Sequence, residues 1–307
     1  MTARSVGGNT SAMPTTRVSD IDVYFDRFGD PAHPTVLLVS GLGAQCPSYE
    51  DDLCAMVVAA GYQVVRYDNR DVGLSTHLDG APADAMAAVV AAVAGGTVEA
   101  AYTLSDMAAD GIGLLDSLGV EAAHVLGASM GGMIAQTMAI EHPGRVRTLT
   151  SVYSTTGEPD VGAPDGDVLA SLLSIMVPQD TREGRVANSV ELARIIGTPH
   201  VFDEQRARSQ AELLVDRSYD PDGISRQMVA ILASGSRAEG LAALEVPTMV
   251  LHGDNDPLVN VSGGHRTAEL VPGAELRILE GMAHDMPPSY WDRIVGGLLD
   301  NAVATDH

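Results

Sequence analysis

The sequence predicts an α/β fold: a mostly parallel central sheet with helices on both faces and an inserted helical cap. Three observations carry this. Short continuous runs such as Thr35-Val36-Leu37-Leu38-Val39 and Thr248-Met249-Val250-Leu251 read as strands covered on both faces. Helical stretches alternate with those runs, the pattern of strand–helix–strand units. From Gly157 to Ser236 the strand runs stop and only helix-like stretches remain, which marks an insertion.

Taken in order, Met1 to Asp20 is polar and rich in Gly, Ser and Thr, and reads as a flexible tail. Ile21 to Phe28 alternates apolar and polar residues, as an antiparallel edge strand with one wet face does. Gly29-Asp30-Pro31 turns the chain into the buried strand Thr35 to Val39, which ends in Ser40-Gly41-Leu42-Gly43. A helix is expected from Tyr49 to Ala60, stopped by Gly61. Gln63 to Tyr67 is the next strand and leads into Asp68-Asn69-Arg70-Asp71. The Ala-rich stretch from His77 to Ala101 reads as a mobile helix over a cleft. Thr103-Leu104-Ser105-Asp106 opens a helix to Leu118, with Gly119 past its end.

His124-Val125-Leu126 is a strand, followed by Gly127-Ala128-Ser129-Met130-Gly131 and a helix that stops at Pro143-Gly144. Val146 to Tyr153 is a strand. The insertion holds expected helices at Asp167–Met176, Thr181–Ile196, Asp203–Tyr219 and Pro221–Ala233. Thr248 to His252 resumes the sheet, Ser262 to Leu270 is a helix, Ala274 to Leu279 a strand and Ser289 to Ala302 a closing helix. The domain division is therefore a tail at 1–20, a core at 21–156 and 237–303, and a cap at 157–236.

Composition narrows the function. The net charge is −23 and all 18 basic residues are Arg. A surface this acidic repels nucleic acid and anionic membranes. Adaptation to salt and the coding bias of a GC-rich genome both fit it. No apolar run approaches the roughly 18 residues of a membrane span, and no leader pattern opens the chain, so a cytoplasmic protein is expected. Cys46 and Cys54 form neither a disulfide framework nor a metal-ligand pattern. No metal or cofactor is expected. Length and charge leave open whether the chain forms a homo-oligomer.

In parallel sheets ligands bind beyond the carboxyl ends of the strands, so the chemistry is sought in the loops there. With 32 glycines in the chain, a G-x-S-x-G string arises by chance about one time in five; its strand-to-helix setting gives it weight. Ser129 is the candidate nucleophile. His284, in the loop after the last strand, is the candidate base, since an imidazole can take the serine proton and return it. Asp254 and Asp256 compete to orient it, and Asp256 is favoured, giving the order Ser, Asp, His. The Met130 amide, directly after the nucleophile, is one expected oxyanion donor and the Leu42 amide the other, with Gly41 and Gly43 letting that backbone turn. Gly41, Gly43, Met176 and Met282 are expected to touch substrate. His252 is expected to be a satisfied strand-end histidine, and Asp68, Arg70 and Asp71 to hold their loop by ion pairing.

These residues resemble the α/β-hydrolase superfamily over positions 20 to 303. The match rests on Ser40 to Gly43, Tyr67 to Ser75, Gly127 to Gly132, Gly253-Asp254-Asn255-Asp256-Pro257 and Gly281-Met282-Ala283-His284. Within it the chain is similar to carboxylic-ester hydrolases grouped near aclacinomycin methylesterase and the cofactor-free haloperoxidases. Many members have His-Gly where this chain has Ser40-Gly41, but a backbone donor needs no histidine side chain. The resemblance implies a serine esterase whose partner is a small or medium apolar carboxylic ester or lactone, cleaved through an acyl-enzyme. The same triad also serves perhydrolysis or cleavage of a C–C bond beside a ketone. Absence of an Asp at the elbow argues against dehalogenase and epoxide-hydrolase chemistry. A non-enzymatic ligand receptor on this fold is the alternative from another class.

Overall fold

The structure, a computed structural model, describes residues 14–166, 168–174 and 177–303. Strands β1 (Thr15–Val18), β2 (Ile21–Phe28), β3 (Thr35–Val39), β4 (Gln63–Tyr67), β5 (Ala123–Ala128), β6 (Val146–Val152), β7 (Thr248–Gly253) and β8 (Glu275–Leu279) form one sheet. Its order is β1-β2-β4-β3-β5-β6-β7-β8. The β1–β2 and β2–β4 pairs are antiparallel and all others parallel. The helices are α1 (Asp51–Ala59), α2 (Ala85–Val93), α3 (Leu104–Ser117), α4 (Met130–Glu141), α5 (Val168–Ser174), α6 (Arg182–Ile196), α7 (Glu204–Arg217), α8 (Pro221–Ser234), α9 (Ala238–Ala242), α10 (Ser262–Leu270) and α11 (Trp291–Val303).

The continuous apolar strands follow from two helical layers. Successive β3 side chains point to opposite faces. Leu37 and Val39 enter the apolar cluster that α3 and α4 complete with Leu114, Ile134 and Met138. Val36 and Leu38 enter the other, completed by Val57 of α1 and Leu298 of α11. Neither face of β3 meets water: Val36 to Val39 are fully buried, and Thr35 at its start accepts a hydrogen bond from Gln63 at 2.7 Å.

Two expectations at the N-terminal side are corrected. Residues 1–13 lie outside the described residues, but Thr15–Val18 is a strand rather than tail. Val18 pairs with Ile21 across a turn in which Ser19 takes φ +50°, and both apolar residues are buried in the first cluster. A single buried Val in a polar stretch is too little pattern to read in advance. As a result β2 is not the edge strand; β1 covers it.

Between β6 and β7 the described residues form helices only, as expected, with the additional short α9 before β7. Three of these helices begin at a side-chain cap that satisfies an unpaired N–H. Thr181 accepts from Gly184, Asp203 from Arg206 and Asp220 from Gly223. The Ala-rich stretch does form a helix, α2, packed against α8. Among the described residues, no helix is long and apolar enough to cross a membrane.

Asp68, Arg70 and Asp71 hold the loop after β4 by ion pairing, as anticipated, and two of these pairs reach the insert. Asp71, fully buried, takes a two-pronged bond from Arg226 of α8, at 2.9 and 2.8 Å. Arg217 pairs with Asp68 at 2.7 Å, and Arg70 with Asp110 of α3 at 2.6 Å. His77 adds a strap: Nδ1 lies 2.6 Å from Asp220 Oδ2 and Nε2 lies 3.0 Å from the Gly73 carbonyl. Burial alone would lower the imidazole pKa, but Asp220, the Gly73 carbonyl and Asp71 outweigh it and hold it above its ordinary value. The protonated ring therefore favours the folded state. That contribution is complete below about pH 6.5, the unfolded value, and is lost as pH rises through the higher folded value. Thermal melts from about pH 6 to about pH 9 should show the wild type losing stability more steeply than His77→Gln. Parallel profiles would contradict the strap.

Candidate active site

The centre of the site is the turn from β5 into α4. Ser129 has φ +57° and ψ −122°, a conformation that costs a non-glycine residue on the order of 1–3 kcal/mol. Close packing holds it there. A Cβ at Gly127 would lie 2.0 Å from the Gly131 carbonyl oxygen, and one at Gly131 would lie 2.0 Å from that of Val39. The Ser129 amide donates to the Val152 carbonyl at 3.0 Å, and the Ser154 hydroxyl donates to the Ser129 carbonyl at 2.8 Å. Gly131→Ala should cost about 3 kcal/mol of stability in urea unfolding, because the backbone it would strike cannot yield. An unchanged urea midpoint would contradict this packing.

The three residues expected to act together are brought together. Ser129 Oγ lies 2.9 Å from His284 Nε2, and His284 Nδ1 lies 2.7 Å from Asp256 Oδ2. The other oxygen of Asp256 accepts the amides of Leu258 and Val259 at 2.9 and 2.8 Å. Burial raises the Asp256 pKa, but the charge of His284, then hydrogen bonds from His252, His284 and Val259, outweigh it and hold the carboxyl well below the usual range. An ionised Asp256 makes Nδ1 the N–H donor, which leaves Nε2 free to accept the Ser129 hydroxyl. Asp254, the competing carboxylate, instead accepts the Gly281 amide at 2.6 Å and pins the turn.

The loop after β3, which carries Leu42, comes up against the nucleophile. Met130 opens α4, whose first amides have no intrahelical partner. Gly41 packs beside the nucleophile: a Cβ there would be 3.3 Å from that of Ser129. On the other side of Leu42, the Gly43 amide is taken by Gln227 Oε1 at 2.9 Å and the Ala44 amide by the Gly41 carbonyl at 3.2 Å. Gln227 belongs to α8 and also donates to the Arg70 carbonyl, so the insert fixes this loop. Ile224, from the same helix, lies over Gly43.

Met282 is a correction. Its side chain is 0% exposed within the second apolar cluster, and its carbonyl accepts the Asn255 amide, so it is core and not a substrate contact. It lies two residues before His284 but packs into the core. Met176 lies outside the described residues. His252, expected to be satisfied, is fully buried and only half satisfied: Nε2 lies 2.8 Å from the Val259 carbonyl and 3.5 Å from Asp256, while Nδ1 has no hydrogen-bond partner among the described residues. Sequence reasoning missed Tyr153, whose ring centroid lies 4.6 Å from that of His284, together with Ser154, Gln227, Thr198 and Asp285. The only local signal is the positive φ of Tyr153, +35°, which no pattern of residue types announces.

Asp71, His77 and Asp220 also bring possible metal-ligand atoms within 4.8 Å of one another, but the Arg226 guanidinium sits against both carboxylates and already supplies the positive charge.

Residues 34–287 match the family model described as alpha/beta hydrolase fold. The chain belongs to the α/β-hydrolase fold family. A rhodomycin D methylesterase of Streptomyces peucetius is 28% identical over 90% of this chain and 93% of its own length. Two solved α/β-hydrolase structures share the fold at lower identity. The enol-lactonase from Burkholderia xenovorans LB400 superposes with a TM-score of 0.73 at 19% identity, covering 94% of this chain and 100% of that one. The 2-hydroxy-6-oxo-6-phenylhexa-2,4-dienoate hydrolase from Rhodococcus sp. strain RHA1 also gives 0.73, at 21% identity over 94% of this chain and 97% of that one.

Proposed function

We propose that this α/β-hydrolase is a carboxylic-ester hydrolase that works through an acyl-enzyme on Ser129. The observation that carries the reading is the hydrogen-bonded chain from Ser129 Oγ through His284 to Asp256, at 2.9 and 2.7 Å. Ser129 Oγ attacks the ester carbonyl while His284 Nε2 takes its proton. Asp256 holds the ring in the accepting tautomer and stabilises the imidazolium that forms. The Leu42 and Met130 amides receive the oxyanion, each worth about 3 kcal/mol in the transition state. His284 then protonates the departing alkoxide. Water, deprotonated by the same ring, releases the acid and restores the serine.

The apolar Leu42, next to Gly41, and Ile224, over Gly43, support an ester with apolar groups, and the similarity to a methylesterase over most of the chain supports an ester over an amide. Turnover of p-nitrophenyl acetate and butyrate tests the reading. Saturable hydrolysis is expected. Absence of turnover, with a small ligand raising the melting temperature instead, would favour a binding protein on this fold.

A further inference from the structure

The loop that carries His284 is held from two sides. From the core, the Asp254 carboxylate takes the Gly281 amide, the Met282 carbonyl takes the Asn255 amide, and the Tyr290 hydroxyl donates to the Glu280 carbonyl. These contacts end at residue 282. Beyond it the core reaches the His284 ring through Asp256, while the Ala283 and His284 amides and the Asp285 carboxylate are held by the insert, just past the end of α6. The His284 amide donates to the Ile196 carbonyl at 2.9 Å, and the Ala283 amide donates to Thr198 Oγ1 at 3.0 Å. Thr198 in turn donates twice to Asp285 Oδ1, from its hydroxyl at 2.5 Å and its amide at 3.1 Å.

Thr198 is 0% exposed, so its hydroxyl has no water with which to replace these partners. Gly197 permits the approach: a Cβ there would lie 2.4 Å from the Ala193 carbonyl oxygen and 3.2 Å from Asp285 Oδ2. One buried hydroxyl thus accepts from the residue before the base and donates to the residue after it. Among these contacts, those on either side of His284 belong to the insert and not to the sheet.

We propose that Thr198, acting through Ala283 and Asp285, is a positioning residue for His284, so that docking of the helical insert sets the reach of the base to Ser129. This rests on the proposed role of His284 as the base. Loss of the Thr198 contacts then costs proton transfer first, since a shift of about 1 Å in a catalytic group costs up to 100-fold in rate. Loss of the Thr198 hydroxyl affects substrate binding less, because the bond from Gln227 of α8 to the oxyanion loop is left in place.

The test is the rate at which a fluorophosphonate labels Ser129, together with kcat and KM on p-nitrophenyl butyrate. Labelling forms the Oγ–P bond, expels fluoride and needs the base to take the serine proton. Thr198→Val, similar in shape but without the hydroxyl, should lower both the labelling rate and kcat about 10- to 100-fold, with KM within about threefold. Thr198→Ser should restore both to within about threefold of the wild type. A wild-type labelling rate in Thr198→Val overturns the proposal, and so does a Ser variant as slow as the Val variant. If Thr198→Val melts below the assay temperature, Asp285→Asn takes its place. It keeps an oxygen for Thr198 but loses the charge, so a loss of about 3- to 10-fold is expected, and an unchanged rate overturns the proposal. Failure of the wild type itself to be labelled at Ser129 would instead remove the esterase reading, and the positioning role with it.

Discussion

Ser129→Ala should lower kcat/KM on p-nitrophenyl butyrate by at least about 10⁴-fold. The substitution is clean at this position. Alanine places the same Cβ into the same turn, at φ +57°, so the strain of the elbow is unchanged. The amide bond to Val152 and the carbonyl contact with Ser154 are backbone interactions of residue 129 and persist. Only the hydroxyl that faces His284 disappears. The residual rate is what the oxyanion amides and substrate binding supply without a nucleophile. A thermal melt matching the wild type would assign the loss to chemistry and not to folding. A variant retaining a tenth or more of wild-type activity would contradict the proposed acylation.

Asp256→Asn should cost about 10⁴-fold in kcat, while Asp254→Asn changes it by less than about threefold. The difference follows from which atoms each carboxylate holds. Oδ1 of Asp256 accepts two amides, from Leu258 and Val259. In the Asn variant the amide oxygen stays with those donors, so the NH2 group faces His284 Nδ1. The ring must then accept at Nδ1 and carry its proton on Nε2. That tautomer cannot take a proton from Ser129, although every heavy atom stays close to its place. Asp254 holds only the Gly281 amide, which an Asn oxygen accepts equally well. Comparable losses in both variants would mean that the carboxylates act by general charge and not through the tautomer.

Much of the sheet was legible because burial on both faces leaves an unmistakable trace. β3 and β7 are continuous apolar runs, and the Gly127-Ala128-Ser129-Met130-Gly131 turn sits between a strand and a helix in the sequence itself. β1 was not legible, because a four-residue strand with one buried Val carries almost no pattern. Ser129, Asp256 and His284 could be proposed because each lies in a loop at a strand's carboxyl end, and chain order did the rest. Which of Asp254 and Asp256 faces the base depends on one reversal of backbone direction, which composition does not encode. Thr198 and Gln227 lie on the insert, far along the chain from the loops they hold, and Ser, Thr and Gln at such positions look like any polar surface residue. Met282 shows the converse: nearness in sequence to His284 suggested the site, yet its side chain belongs to the core.

The acyl-enzyme is the central claim, and it is directly observable. Wild-type protein mixed with p-nitrophenyl butyrate, quenched in acid within the first turnover and digested for mass spectrometry should carry one butyryl group on the peptide containing Ser129. His284→Ala should accumulate none on that timescale. A wild type that releases nitrophenol in a Ser129-dependent way should show this adduct. Full turnover with no acyl group on Ser129, or with the group on another residue, would contradict the account.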